Sequence, residues 1–103
     1  MTGLTTRTIA DAIGTVSTTA LDLTAGTFGF TEAQLYEADE AFVDVQGNPV
    51  NYRTGTTAPT STDGHALAAG DTVTIYGQDI PALQLIRSGA SDATVVVTLR
   101  KIR

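Results

Sequence analysis

The residues able to do chemistry in this chain are few, and their spacing argues against a reacting site. His65 is the only histidine, with Asp63 and Ser61 two and four residues before it. Serine, carboxylate and imidazole are the parts of a nucleophilic triad. Triad members meet in space from separate supports, however, and three residues on one short segment cannot take up that geometry. The segment reads instead as a turn at Gly64, with His65 opening the next strand and its ring capping a backbone carbonyl. Metal ligands are as scarce: one histidine and no cysteine cannot make a zinc site. Asp39 and Glu40 are adjacent, not at the alternate positions of a calcium loop. No glycine-rich phosphate loop follows a strand and opens a helix. We therefore expect no enzyme activity, no catalytic residue, no cofactor and no metal.

Composition and charge narrow the partners. The chain has 103 residues, 42% hydrophobic and 17% charged, which fits a single domain spanning 1–103 around one core. A net charge of -5 and a pI near 4.4 argue against nucleic acid, because phosphate backbones need clustered Lys and Arg. No apolar run approaches the roughly 20 residues of a membrane span. No basic region followed by an apolar stretch opens the chain, so it reads as soluble, without a membrane partner and not exported by that route. The absence of cysteine excludes a disulfide framework. The charges are unevenly placed. No base falls between Arg7 and Arg53, whereas Glu32, Glu37, Asp39, Glu40 and Asp44 do, and Arg100, Lys101 and Arg103 close the chain. These are either two solvated faces or surfaces that pair with oppositely charged neighbouring subunits.

The elements that must carry these residues are strands, as the abundance of Thr and Val favours. Ala93, Val95, Val97 and Leu99 alternate with Thr94, Val96, Thr98 and Arg100, which predicts a final strand with its odd positions facing the core. The same alternation marks Leu21 and Leu23, Val43 and Val45, Val50 and Tyr52, Val73 and Ile75, and Leu83 and Leu85. A further short strand is predicted at Thr15 to Ser17, while Met1 to Ala12 is Thr-rich and only weakly periodic. Gln46-Gly47-Asn48-Pro49 has the chemistry of a hairpin turn, with Gly47 and Asn48 tolerant of positive φ. Thr31 with Gln34 three residues on matches a capping box and predicts a helix from Thr31 to about Tyr36, crossing between sheets. Phe28 and Phe30, in a loop with Gly26 and Gly29, are expected to plug one end of the core. The stretch from Thr54 to Thr62 is expected to be a rigid surface crossover linking two sheets, since Pro59 fixes φ and Gly55 and Gly64 permit unusual turns. Turns every ten or so residues suit an all-β sandwich, jelly-roll or Greek-key-like, with at most one short helix.

The tract Tyr52-Arg53-Thr54-Gly55-Thr56-Thr57-Ala58-Pro59-Thr60, followed by Gly64-His65-Ala66-Leu67 and Ala69-Gly70-Asp71, resembles small virion structural proteins of tailed bacteriophages. Val16-Ser17-Thr18-Thr19-Ala20, Leu85-Ile86-Arg87 and Ser91-Asp92-Ala93-Thr94-Val95 resemble the same group. Tyr76-Gly77-Gln78-Asp79-Ile80-Pro81 departs from it and reshapes one loop. The resemblance implies a head decoration or cement subunit, or a neck or tail component. It would be located in the virion after assembly in the host cytoplasm and bound to the major capsid protein or other virion proteins. It also implies a homo-oligomer, with a trimer suited to three-fold lattice points. A receptor- or glycan-binding module is the alternative from another class. It depends on exposed aromatics, and of the three tyrosines only Tyr36 reads as free, Tyr52 and Tyr76 reading as strand-bound. Loops on rigid scaffolds commonly carry recognition. The candidate partner contacts are therefore Arg53, Thr54, Thr57, Pro59 and Thr60, the acidic Glu37, Asp39 and Glu40, and the basic Arg100, Lys101 and Arg103.

Overall fold

A computed structural model of the chain describes residues 6–102. Along them run β1 (Thr6–Val16), β2 (Leu21–Asp22), α1 (Glu32–Glu37), β3 (Glu40–Gly47) and β4 (Val50–Arg53). There follow β5 (His65–Leu67), β6 (Thr72–Tyr76), α2 (Asp79–Ala82), β7 (Gln84–Arg87) and β8 (Ala93–Ile102). The strands form two four-stranded sheets, ordered β1-β8-β3-β6 and β2-β7-β4-β5, here called the β8 sheet and the β7 sheet. All neighbours are antiparallel. Strand 1 pairs with 8, 2 with 7, 3 with 6 and 4 with 5. This is the order produced when one long hairpin is wrapped into two layers, the eight-stranded jelly roll. The all-β sandwich expected from the alternation is thus present.

The core lies between the layers. On β8, Ala93, Val95, Val97 and Leu99 are fully buried, the odd positions expected to face inward. On β3, Val45, Val43 and Ala41 stand opposite Val95, Val97 and Leu99 and are equally buried. The β7 sheet answers with Val50, Leu67 and Leu85, and Leu23 and Leu83 fill in from its margins. Burying one such Val or Leu favours the fold by about 1.5–3 kcal/mol relative to leaving it in water. Phe28 and Phe30 are buried at one end, as their loop context suggested. Phe28 lies against Gly14, where a Cβ would come within 2.7 Å of its ring and 2.6 Å of the Thr27 methyl. Close approach of a ring to the backbone of β1 therefore requires glycine there.

Four expectations are corrected. Of the weakly periodic start, Met1 to Thr5 lie outside the described residues, and from Thr6 the chain is an eleven-residue strand, β1, that ends at Val16, because its long pairing with β8 overrides a mediocre local pattern. The Gln46–Pro49 turn is not a hairpin: β3 lies in one sheet and β4 in the other. Asn48 does take positive φ (65°), and Gly47 does not. Its pairing with β8 shifts register between Val45 and Gly47, and Asn48 Nδ2 donates to the Asp92 carbonyl at 3.0 Å, which directs the chain across the sandwich. The Thr54–Thr62 stretch does not cross between sheets, because β4 and β5 are neighbours within the β7 sheet, as the innermost pair of a wrapped hairpin must be. Finally, two short helices are found among the described residues, not at most one. The second, α2, falls in the Tyr76–Pro81 departure, where Pro81 sits in the first turn and its missing N–H costs nothing. The first, α1, has the expected capping box: Gln34 N donates to Thr31 Oγ1 at 3.1 Å and Thr31 N to Gln34 Oε1 at 3.0 Å. Leu35 of α1 and Ile80 of α2 are buried in the core.

Candidate interaction surfaces

The β4–β5 connection folds back over the outer face of its own sheet. Asn51 stands opposite Ala66 on β5 and Ile86 on β7, pointing away from the core that Val50 enters. Its Nδ2 donates to the Thr60 carbonyl at 2.9 Å, and Thr60 and Asp63 exchange backbone hydrogen bonds at 2.8 and 3.3 Å. Pro59 is buried beneath this closure, so it anchors the loop instead of presenting a contact. Gly64 takes φ 142°, and a Cβ there would lie 3.1–3.3 Å from Tyr52 O, Asn51 Cβ and Pro59 Cβ. Only glycine suits both the angle and the space. Thr57 and Thr60 remain exposed and Thr54 is half-buried.

The same loop gives Asp63 and His65, two of the residues that invited a hydrolase reading, other partners. Asp63 Oδ1 accepts from Arg53 Nη2 at 3.0 Å, while the His65 ring packs on Tyr52, with centroids 5.1 Å apart. His65 opens β5 as expected, but its ring lies against an aromatic partner and not against the carbonyl foreseen for it. Arg53 Nε is buried without a hydrogen-bond partner. Arg53, Thr54, Asp63 and His65 share a polar depression of ≈ 260 Å³. A larger one, ≈ 480 Å³, lies between the Pro59–Ser61 edge of the loop and the β1–β2 connection at Thr18 and Ala20. Among the described residues no group of three His, Asp or Glu side chains is placed to hold a metal ion.

The acidic segment and the basic C-terminal strand, far apart in sequence, are brought together. Glu40 stands opposite Arg100 in the β3–β8 register, with Oε1 and Nη1 3.7 Å apart, and the Arg100 guanidinium lies 5.2 Å from the Phe42 ring centroid. Asp39 is a strand anchor: its Oδ2 accepts from the Ile102 amide at 2.6 Å, its N–H donates to Arg100 O at 2.8 Å, and its carbonyl accepts from Gly77 N at 3.1 Å. Glu37 pairs with Arg7 at 3.6 Å, both side chains about half exposed. Such surface pairs are each worth about 0–1 kcal/mol. Glu37, Glu40 and Arg100 thus have partners within the chain while staying at least partly open to solvent. Lys101 has no carboxylate within salt-bridge distance among the described residues, and Arg103 lies outside them.

A surface that the sequence did not single out is the outer face of the β8 sheet. Ile13 on β1 stands opposite Val96 on β8. Phe42 on β3 lies one diagonal step from Val96, and Tyr76 on β6 one diagonal step from Phe42. These four side chains run as an apolar stripe across all four strands, flanked by Thr72, Thr74, Thr94 and Thr98 and also by charge: Asp44 stands opposite Val96, Asp11 opposite Thr98, and Arg100 lies over the Phe42 ring. Ile13 is 68% exposed and Tyr76 62%, so Tyr76 is strand-bound, as expected, yet open to solvent. Tyr36 is free as expected, at 71% exposure, and lines a depression of ≈ 310 Å³ with Gln78, Pro81 and Ala82. The stripe is invisible to sequence reasoning because, along its own strand, each member has only polar residues as same-face neighbours two positions away. Only the register aligns them.

Comparison with protein-family models finds no match, and comparison with curated proteins finds none either.

Proposed function

We propose that this chain is a non-enzymatic structural subunit of a tailed-phage particle, a decoration or cement protein that binds the major capsid protein lattice and stabilises the head. The observation that carries the reading is the outer face of the β8 sheet: a four-stranded platform with an apolar stripe bordered by threonines and by Asp11, Asp44 and Arg100. Such a platform suits broad contact with a protein lattice better than it suits capture of a small molecule. The jelly roll supports the reading by analogy alone, because viral capsid domains share that architecture with unrelated functions. Modest contacts repeated over many symmetry-related copies would add through avidity. In this reading Thr54, Thr57 and Thr60 offer rim contacts, and Lys101 is the basic residue able to meet an acidic partner. Arg100, Glu40, Glu37 and Asp39 hold the fold and tune the surface from within.

The test is co-sedimentation of the purified protein with matched heads. Saturation at hundreds of copies per particle supports the head lattice, whereas about a dozen or fewer would place it at the neck or tail, where symmetry is low. Absence of binding at any stoichiometry would overturn the proposal. Lys101→Glu is expected to weaken binding in a salt-dependent manner.

A second reading, a glycan- or receptor-binding module, is favoured by one observation. Tyr36 presents an open ring in a depression that Gln78 also lines, and a stacking face with a hydrogen-bonding residue near it is what sugars use. Silence on a glycan array would remove it.

A further inference from the structure

β1 is an edge strand: among the described residues it pairs with β8 on one side and with no strand on the other. Long edges are normally guarded by charge, proline or bulges, because their unpaired N–H and C=O groups recruit another strand. On β1 the guard is confined to one part. The register with β8 slips at Ile9, between Thr8 and Ala10. After Val16 the chain leaves the sheet, since Ser17 O accepts from Arg87 N at 3.0 Å in the other layer. Between these limits lies a regular run, Ala10 to Val16, with one charge, Asp11, and no proline. Its midpoint is Ile13, the most exposed aliphatic side chain of the β8 sheet's outer face.

We infer that a second copy of this chain docks on this edge, antiparallel, about a two-fold axis at Ile13, joining two β8 sheets into one continuous sheet. The strand is self-complementary in that register. Ile13 of one copy stands opposite Ile13 of the other, Ala12 opposite Gly14, Asp11 opposite Thr15, and Ala10 opposite Val16. The exposed isoleucine is then covered by its own copy, and each Asp11 meets a hydroxyl. The neighbouring registers lose the Ile13 pair: centring on Asp11 sets two carboxylates directly opposite, which is destabilising, centring on Ala12 sets Ile13 against Asp11, and centring on Gly14 sets Ile13 against Thr15. The pairing ends on one side at the Ile9 irregularity and on the other where the chain departs at Ser17, so the usable run is as symmetric as the axis requires. It also carries the stripe of Ile13, Val96, Phe42 and Tyr76 unbroken across the axis. The contact is isologous and closes as a dimer, in contrast to the trimer that a three-fold lattice point would favour.

Self-association is read on the full chain alone, so its outcome is independent of particle binding. In sedimentation velocity at about 100 µM, the wild-type protein is expected to run as a dimer. Ile13→Lys, at a solvent-open position, places two ammonium groups across the axis and is expected to raise the dimer Kd at least about tenfold with an unchanged circular dichroism spectrum. Because the chain has no cysteine, Ile13→Cys offers an independent reading. Mild oxidation is expected to give a covalent dimer, whereas Thr72→Cys on the opposite edge strand β6 is not. A monomeric wild-type protein, an Ile13→Lys variant that dimerises as tightly as wild type, or equal cross-linking at Thr72→Cys would each overturn the proposal.

Discussion

Replacing Gly14 by alanine is expected to destabilise the protein by about 0.5–2 kcal/mol, and the figure follows from the space around one atom. A Cβ at Gly14 would lie 2.6 Å from Thr27 Cγ2, 2.7 Å from Phe28 Cε1 and 2.9 Å from Phe28 Cδ1. Carbon atoms rest at about 3.5–4.0 Å, so ring and methyl must retreat by roughly 1 Å. Phe28 is buried, and forcing an extra methyl into packed surroundings costs about 1–3 kcal/mol. Removing a glycine's excess backbone freedom from a strand returns about 0.5–1 kcal/mol, which leaves the net loss stated. The assay is urea unfolding followed by far-UV circular dichroism, with a common slope fitted to all variants. Gly26→Ala is the control, since nothing lies within 4 Å of a Cβ there, and it is expected to stay within about 0.5 kcal/mol of wild type. In a Phe28→Leu background the Gly14→Ala penalty is expected to shrink by about 1 kcal/mol, the coupling expected of residues in contact. A Gly14→Ala protein as stable as wild type, or more stable, would refute the placement of Phe28 against β1.

Asn51→Ala removes the donor that ties Thr60 to the β7 sheet. It is expected to cost about 1–2 kcal/mol and to accelerate limited proteolysis within Thr54–Asp63, with cleavage mapped by mass spectrometry. Unchanged cutting would show that the loop is held by something other than Asn51. Asp39→Ala leaves the Ile102 amide without its carboxylate acceptor and is expected to cost about 1–3 kcal/mol. Hydrogen exchange should show faster exchange at Ile102 with little change at Val95 and Val97. Equal loss of protection across β8 would argue against a local anchor.

Much of the strand content could be read residue by residue. The inward odd positions of β8, the capping box at Thr31 and Gln34, the positive φ of Asn48 and the buried pair Phe28 and Phe30 all follow from neighbours a few positions away. The candidate surfaces were far less legible. Arg100 and Glu40 read as parts of separate charged patches, yet a register sixty residues apart in sequence sets them opposite one another. Pro59 read as an exposed contact, yet the closure over Asn51 buries it. The Gln46–Pro49 turn has chemistry that fits a hairpin and a corner between sheets equally well. The outcome depends on β3 pairing with β6 and β8 while β4 pairs with β5 and β7.

The chemistry of His65 shows the division most clearly. By itself the sequence placed Ser61, Asp63 and His65 within five residues, the ground for expecting no triad among them, with one histidine and no cysteine in the chain. That conclusion depends only on composition and spacing. Where the aspartate and the imidazole go instead, to Arg53 and to Tyr52, was decided by the tertiary structure. So was the alignment of Ile13, Val96, Phe42 and Tyr76 into one stripe ending on an open edge. Side-chain alternation is a local property of an extended backbone, whereas the partner across a sheet is chosen by the burial of whole faces at once.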